Sequence, residues 1–61
     1  MKREELQEVI DWLRAQINYA NEVINEAHEK HNFGRESQYE GMRDALIRCL
    51  NKLKNAEQLD T

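Results

Sequence analysis

Apolar residues recur along the first half of the chain at alternating steps of four and three: Leu6, Ile10, Leu13, Ile17, Ala20, Ile24 and Ala27, with His31 next in the series. That spacing, close to 3.5 residues, keeps one edge of an α-helix turned toward a neighbour and predicts a seam of coiled-coil type. A second series, Tyr39, Met42, Leu46, Cys49, Leu53 and Ala56, repeats the pattern. Proline is absent, and the two glycines, Gly34 and Gly41, stand near the middle. The pattern predicts two long helices, at about residues 2–32 and about 37–59, with a turn at about 33–36.

Within the turn, Gly34 suits the left-handed position that closes many helices. Ser37 followed three residues later by Glu40 reads as a capping box for the second helix, with a start at Gly34 or Arg35 as the alternative. Gly41 then falls inside the first turns, at a cost of about 1 kcal/mol relative to alanine, and close packing there is one reason to keep it. Acids gather early in each helix (Glu4, Glu5 and Glu8; Glu36 and Glu40) and bases late in the second (Arg48, Lys52 and Lys54), as the helix dipole favours.

A loop this short makes the helices antiparallel, so the expected fold is all-α, one domain, an antiparallel two-helix hairpin. Folding about the expected turn pairs positions whose numbers sum to about 69. Ala20 then faces Cys49, Ala27 faces Met42, Ile17 faces Leu53 and Leu13 faces Ala56. A competing arrangement comes from Ile10, Ile17 and Ile24 alternating with Leu6 and Leu13, a seam that favours a parallel dimer through the first helix.

The first helix has more apolar surface than one partner can cover. Beside its seam runs a second stripe, Val9, Trp12, Gln16, Tyr19 and Val23, with Ala45 and Leu59 expected next to it across the seam. The second helix has a smaller surplus, Ile47 and Leu50, on the opposite flank. Trp and Tyr are enriched at binding hot spots, so these stripes are the expected protein-contact residues. Under the competing reading, Trp12 and Tyr19 complete the core of a homodimeric four-helix bundle.

Size strengthens the case for contact. A chain of 61 residues withdraws only about 60% of its unfolded surface from water and is usually reinforced by disulfides, a metal or association. One cysteine cannot form an internal disulfide. The expected partners are therefore a second copy of the chain and a larger protein target.

Charge and chemistry narrow the classes further. Nine basic residues against 12 acidic ones, net −3, weigh against nucleic acid, whose ligands usually show a basic patch. Arg43, Arg48, Lys52 and Lys54 are spread around the helix and diluted by Asp44; a nucleic-acid-binding dimer would have to merge two such sets. No apolar run approaches the roughly 20 residues that span a bilayer. The single thiol and the charged opening Lys2-Arg3-Glu4-Glu5 point to the cytoplasm. Although 34% of residues are charged, the periodicity of the apolar ones argues against disorder.

His28 and His31 have the i, i+3 spacing that can hold zinc but lack a third ligand, and Asn25 stands where a Glu-x-x-His motif needs its glutamate. No metal or cofactor is expected. Cys49, on the expected seam, reads as a small hydrophobe, with a redox-sensing thiol or an intermolecular disulfide as alternatives. No phosphate-binding loop or catalytic triad is present, and Glu4/Glu5 and Glu36/Glu40 have no pocket to tune them, so no enzyme is expected.

The stretch Phe33-Gly34-Arg35-Glu36-Ser37-Gln38-Tyr39-Glu40-Gly41-Met42-Arg43-Asp44-Ala45-Leu46, continuing into Arg48-Cys49-Leu50-Asn51-Lys52-Leu53, resembles small uncharacterised helical proteins of Bacillus-type bacteria and their phages. It covers roughly the second half of the chain. Those proteins have no agreed activity, so no site carries over. The resemblance implies a phage or mobile-element style of gene, whose small acidic helical products act as regulators or inhibitors by binding a larger protein.

Overall fold

A computed structural model describes the backbone of residues 2–59 and the side-chain environments of residues 2–56. Two helices of equal length, α1 (Arg3–Glu29) and α2 (Phe33–Leu59), pack against each other as a hairpin measuring 46 × 15 × 12 Å. The expected helix-turn-helix order is present. The turn, however, lies at Lys30-His31-Asn32, about three residues earlier than the glycine pattern suggested.

Hydrogen bonding explains the displacement. His31 takes the left-handed conformation (φ 57°), while neither glycine has positive φ. Asn32 N–H donates to the Ala27 carbonyl at 2.8 Å and His31 N–H to the His28 carbonyl at 3.1 Å, the paired bonds of a Schellman ending. Asn32 is also the N-cap of α2: its Oδ1 accepts from Arg35 N–H at 3.3 Å, and its carbonyl accepts from Glu36 N–H at 3.0 Å. One asparagine thus follows the end of one helix and opens the next. Gly34 and Ser37, expected in the turn and at the cap, lie inside α2.

Moving the turn moves the register. His28 meets Glu36 and Asn21 meets Arg43, and each pair of numbers adds to 64 instead of the expected 69. On α1 the expected seam is the core: Leu6, Ile10, Leu13, Ala20, Ile24 and Ala27 are buried and Ile17 is half-buried. On α2 the inward positions are Glu36, Tyr39, Arg43, Leu46, Leu50 and Leu53. Tyr39, Leu46 and Leu53 belong to the expected seam, but Met42, Cys49 and Ala56 are exposed. Leu50 (9% exposed) replaces Cys49 in the cluster with Leu6, Ile10 and Leu13.

Leucine explains the choice between the two frames. Tyr39, Leu46 and Leu53 are seven apart and fit either; the residue between them is Arg43 and Leu50 in one and Met42 and Cys49 in the other. Burying Leu50 stabilises more than burying a thiol, since each buried methylene is worth about 0.8 kcal/mol. Arg43 tolerates its inward place because its stem packs while Nη1 donates to Asn21 Oδ1 at 3.2 Å; Nε also lies 3.7 Å from Asp44 Oδ1. Gly41 has no atom within 4 Å of where a Cβ would stand, so close packing in the hairpin does not account for it.

Candidate protein interface

The positions along each helix fix which residues share a flank. On α1, Val9, Gln16 and Val23 lie immediately beside the seam, with Trp12 and Tyr19 one step further round. On α2 the corresponding positions on the same side are Arg35, Met42, Cys49 and Ala56, then Gln38, Ala45 and Lys52. In an antiparallel pair these two sets adjoin across the seam, making one continuous flank.

Its apolar members are left open to solvent: Trp12 is 59% exposed, Tyr19 50%, Met42 40% and Val9 36%. Gln16 is half-buried. Val23 is 6% exposed and belongs to the core of the hairpin, a correction to its expected place on the contact stripe. Tyr19 and Tyr39 meet edge to face with ring centroids 6.3 Å apart, and the Arg35 guanidinium lies 5.1 Å above the Tyr39 ring. This cluster lies at the turn-proximal end of the flank, where Tyr19 is still half-exposed.

The opposite flank changes more. Leu50, expected there beside Ile47, is in the core, leaving Ile47 half-exposed among Arg14, Asn21, Glu40 and Lys54. A larger flank on α1 and a smaller one on α2 were expected; the early turn, which rotates α2 in its frame, buries Leu50, leaves only Ile47 of the smaller one exposed and adds Met42 to the larger. Sequence reasoning missed Met42 and Cys49 as members of it because both fit the seam spacing equally well. Ala45 joins the flank as expected, while the side chain of Leu59 lies outside the described residues.

At the hairpin tip, His28 Nδ1–H donates to Glu36 Oε2 at 2.8 Å, tying the end of α1 to the start of α2. The Glu36 carboxylate, near the N-terminus of α2, suits the helix dipole. His31 lies beside Phe33, with ring centroids 6.1 Å apart. Among the described residues no three His, Cys, Asp or Glu side chains converge. Lys30 Nζ lies 2.7 Å from Glu26 Oε1, and its hydrogen bond and charge hold the Glu26 carboxyl below the usual carboxylate range.

The charge is unevenly divided. α1 has seven acids against two bases, net −5, while α2 has four acids against five bases, net +1. Along the apolar flank the outer rim of α1 therefore carries Glu5, Glu8, Glu22 and Glu26, and that of α2 carries Arg48 and Lys52. Among the described residues no helix is long and apolar enough to cross a membrane. Comparison with protein-family models, curated proteins and solved structures returned no match, so the geometry alone bears on function.

Proposed function

We propose that the chain is a non-enzymatic protein-contact module whose working surface is the flank of Val9, Trp12, Tyr19 and Met42. One observation carries the reading: Trp12 and Tyr19 remain half-exposed or more beside a seam that α2 already closes. A tryptophan fully inside a core would be concealed, whereas a rigid aromatic presented at a flank offers large contact area at small entropic cost. Gln16 between them supplies a polar group to such a contact. The fitting biological role is regulation or inhibition of a larger protein, in keeping with the phage-like style of the second half of the sequence. A purely self-assembling role is the second reading, favoured by the surplus of apolar surface.

The test is a pair of substitutions, Trp12→Ala and Tyr19→Ala, measured for binding and for fold. Under the proposal each loses at least tenfold in affinity for a protein partner, since hot-spot truncations cost about 2 kcal/mol or more. Helical circular dichroism stays close to that of the parent. Unfolding of both variants would place the aromatics in the core and remove the flank as a contact surface.

A further inference from the structure

We infer that the flank is covered by a second copy of the chain, in a four-helix bundle where α1 of each copy lies on α2 of the other and both turns are at the same end. The inference rests on the contact-module reading above and names its first partner. Three observations point the same way.

The first is area. The chain exposes 4879 Å². A compact folded protein of 7.3 kDa exposes roughly 4200 Å², leaving a surplus of roughly 700 Å². A standard specific interface covers about 800 Å² on each partner. One further hairpin is the right size to remove the surplus.

The second is size alternation. The α1 half of the flank carries the two large aromatics, Trp12 and Tyr19, while the α2 half carries three small residues, Ala45, Cys49 and Ala56, interspersed with Met42 and longer polar side chains. Two flanks can meet with two-fold symmetry in two ways. With the turns at opposite ends, α1 lies on α1 and α2 on α2, bulky against bulky and small against small. With the turns at the same end, α1 lies on the partner's α2, and residues at equal height have numbers adding to about 63 to 64, as within the hairpin. Tyr19 is then level with the partner's Ala45, and Trp12 lies within about one helical turn of its Cys49. Large side chains face small ones, which is how layers interdigitate.

The third is charge. Opposite-end packing places the acidic rims of two α1 helices together and the Arg48 and Lys52 rims of two α2 helices together. Same-end packing sets the acidic rim on the basic one. Glu8 then comes within about one helical turn of the partner's Lys52, and Trp12 lies level with that lysine and within about one turn of the partner's Arg48, where cations can approach the indole face. Complementary potentials of this kind fix orientation.

Sedimentation equilibrium of the full chain between 1 and 500 µM, with three variants, tests this. The expected parent is a dimer. Glu8→Lys weakens it about three- to tenfold, because two rim pairs per dimer become repulsive, and adding Lys52→Glu in the same chain restores the affinity. Opposite-end packing gives the reverse sign: Glu8→Lys alone would tighten the dimer by relieving acid-acid repulsion. A tightened or unchanged dimer overturns the orientation, and a parent still monomeric at 500 µM overturns the second copy as partner. Trp12→Ser separates the underlying reading: a dimer indifferent to it is built on some other surface, and the contact role of the flank falls with it.

Discussion

Leu50 and Cys49 are neighbours in sequence, yet the fold places one in the core and the other on the surface, and replacing each with alanine measures that difference. Leu50 is 9% exposed against Leu6, Ile10 and Leu13. Truncation removes three carbons, about 2 kcal/mol of transfer free energy at about 0.8 kcal/mol per buried methylene. A cavity contribution adds to it, although a slender hairpin collapses more readily than a large core, so the total belongs near 2–3 kcal/mol, the low end for such changes. A chain of this length has a stability of roughly 3–9 kcal/mol, and Leu50→Ala therefore removes a large share. Thermal midpoints should fall by roughly 10–20 °C. Cys49→Ala, at an exposed position, should stay within about 0.5 kcal/mol of the parent. Urea unfolding followed at 222 nm, with all proteins at one concentration so that association is held fixed, gives both numbers. If Cys49→Ala costs as much as Leu50→Ala, the helices meet in the other frame and the register given above is wrong.

The turn and the exposed faces give further expectations. His31→Gly should raise stability by about 0.5–1 kcal/mol, because glycine accepts the left-handed conformation without steric cost, and a loss on urea unfolding would contradict φ 57° at this residue. Asn32→Ala should lower it by about 1 kcal/mol through the lost cap to Arg35, with Asn32→Ser retaining most of it. Gly41→Ala should stabilise α2 by about 1 kcal/mol, since nothing stands near the new methyl; a destabilised variant would reveal a close contact there. The Cys49 thiol should react with a disulfide reagent at dilution as quickly as in the unfolded chain, and more slowly at high concentration as the proposed dimer covers it. Lys30 depresses the folded Glu26 carboxyl below its ordinary 4.5, so the small stabilisation from this exposed pair is present above that pH and is lost as pH falls through the folded value. Lys30→Met should move the Glu26 titration seen by NMR upward toward the ordinary value, and no movement would mean that the pair does not form in solution.

The sequence by itself determined the two helices, their antiparallel pairing and the inward face of α1. Leu6, Ile10, Leu13, Ala20, Ile24 and Ala27 admit one frame only, because residues on the other side of that stripe are mostly polar. The exposure of Trp12 and Tyr19 was legible for a separate reason: on their side of the seam the helix is apolar over a wider arc than one neighbour can reach. The turn and the frame of α2 were not legible. Gly34 is the residue that most readily adopts positive φ, but the bonds available to His31 and Asn32 close one helix and open the next within three residues, and that local gain decided the site. The earlier turn changes the pairing sum from about 69 to 64, sliding α2 along α1 by five residues, about 7.5 Å or more than one helical turn. In α2 the seven-residue repeat of Tyr39, Leu46 and Leu53 fits two frames. Only packing against Leu6, Ile10 and Leu13 selects Leu50 over Cys49, and that selection places Met42 and Cys49 beside Trp12 and Tyr19 on one flank.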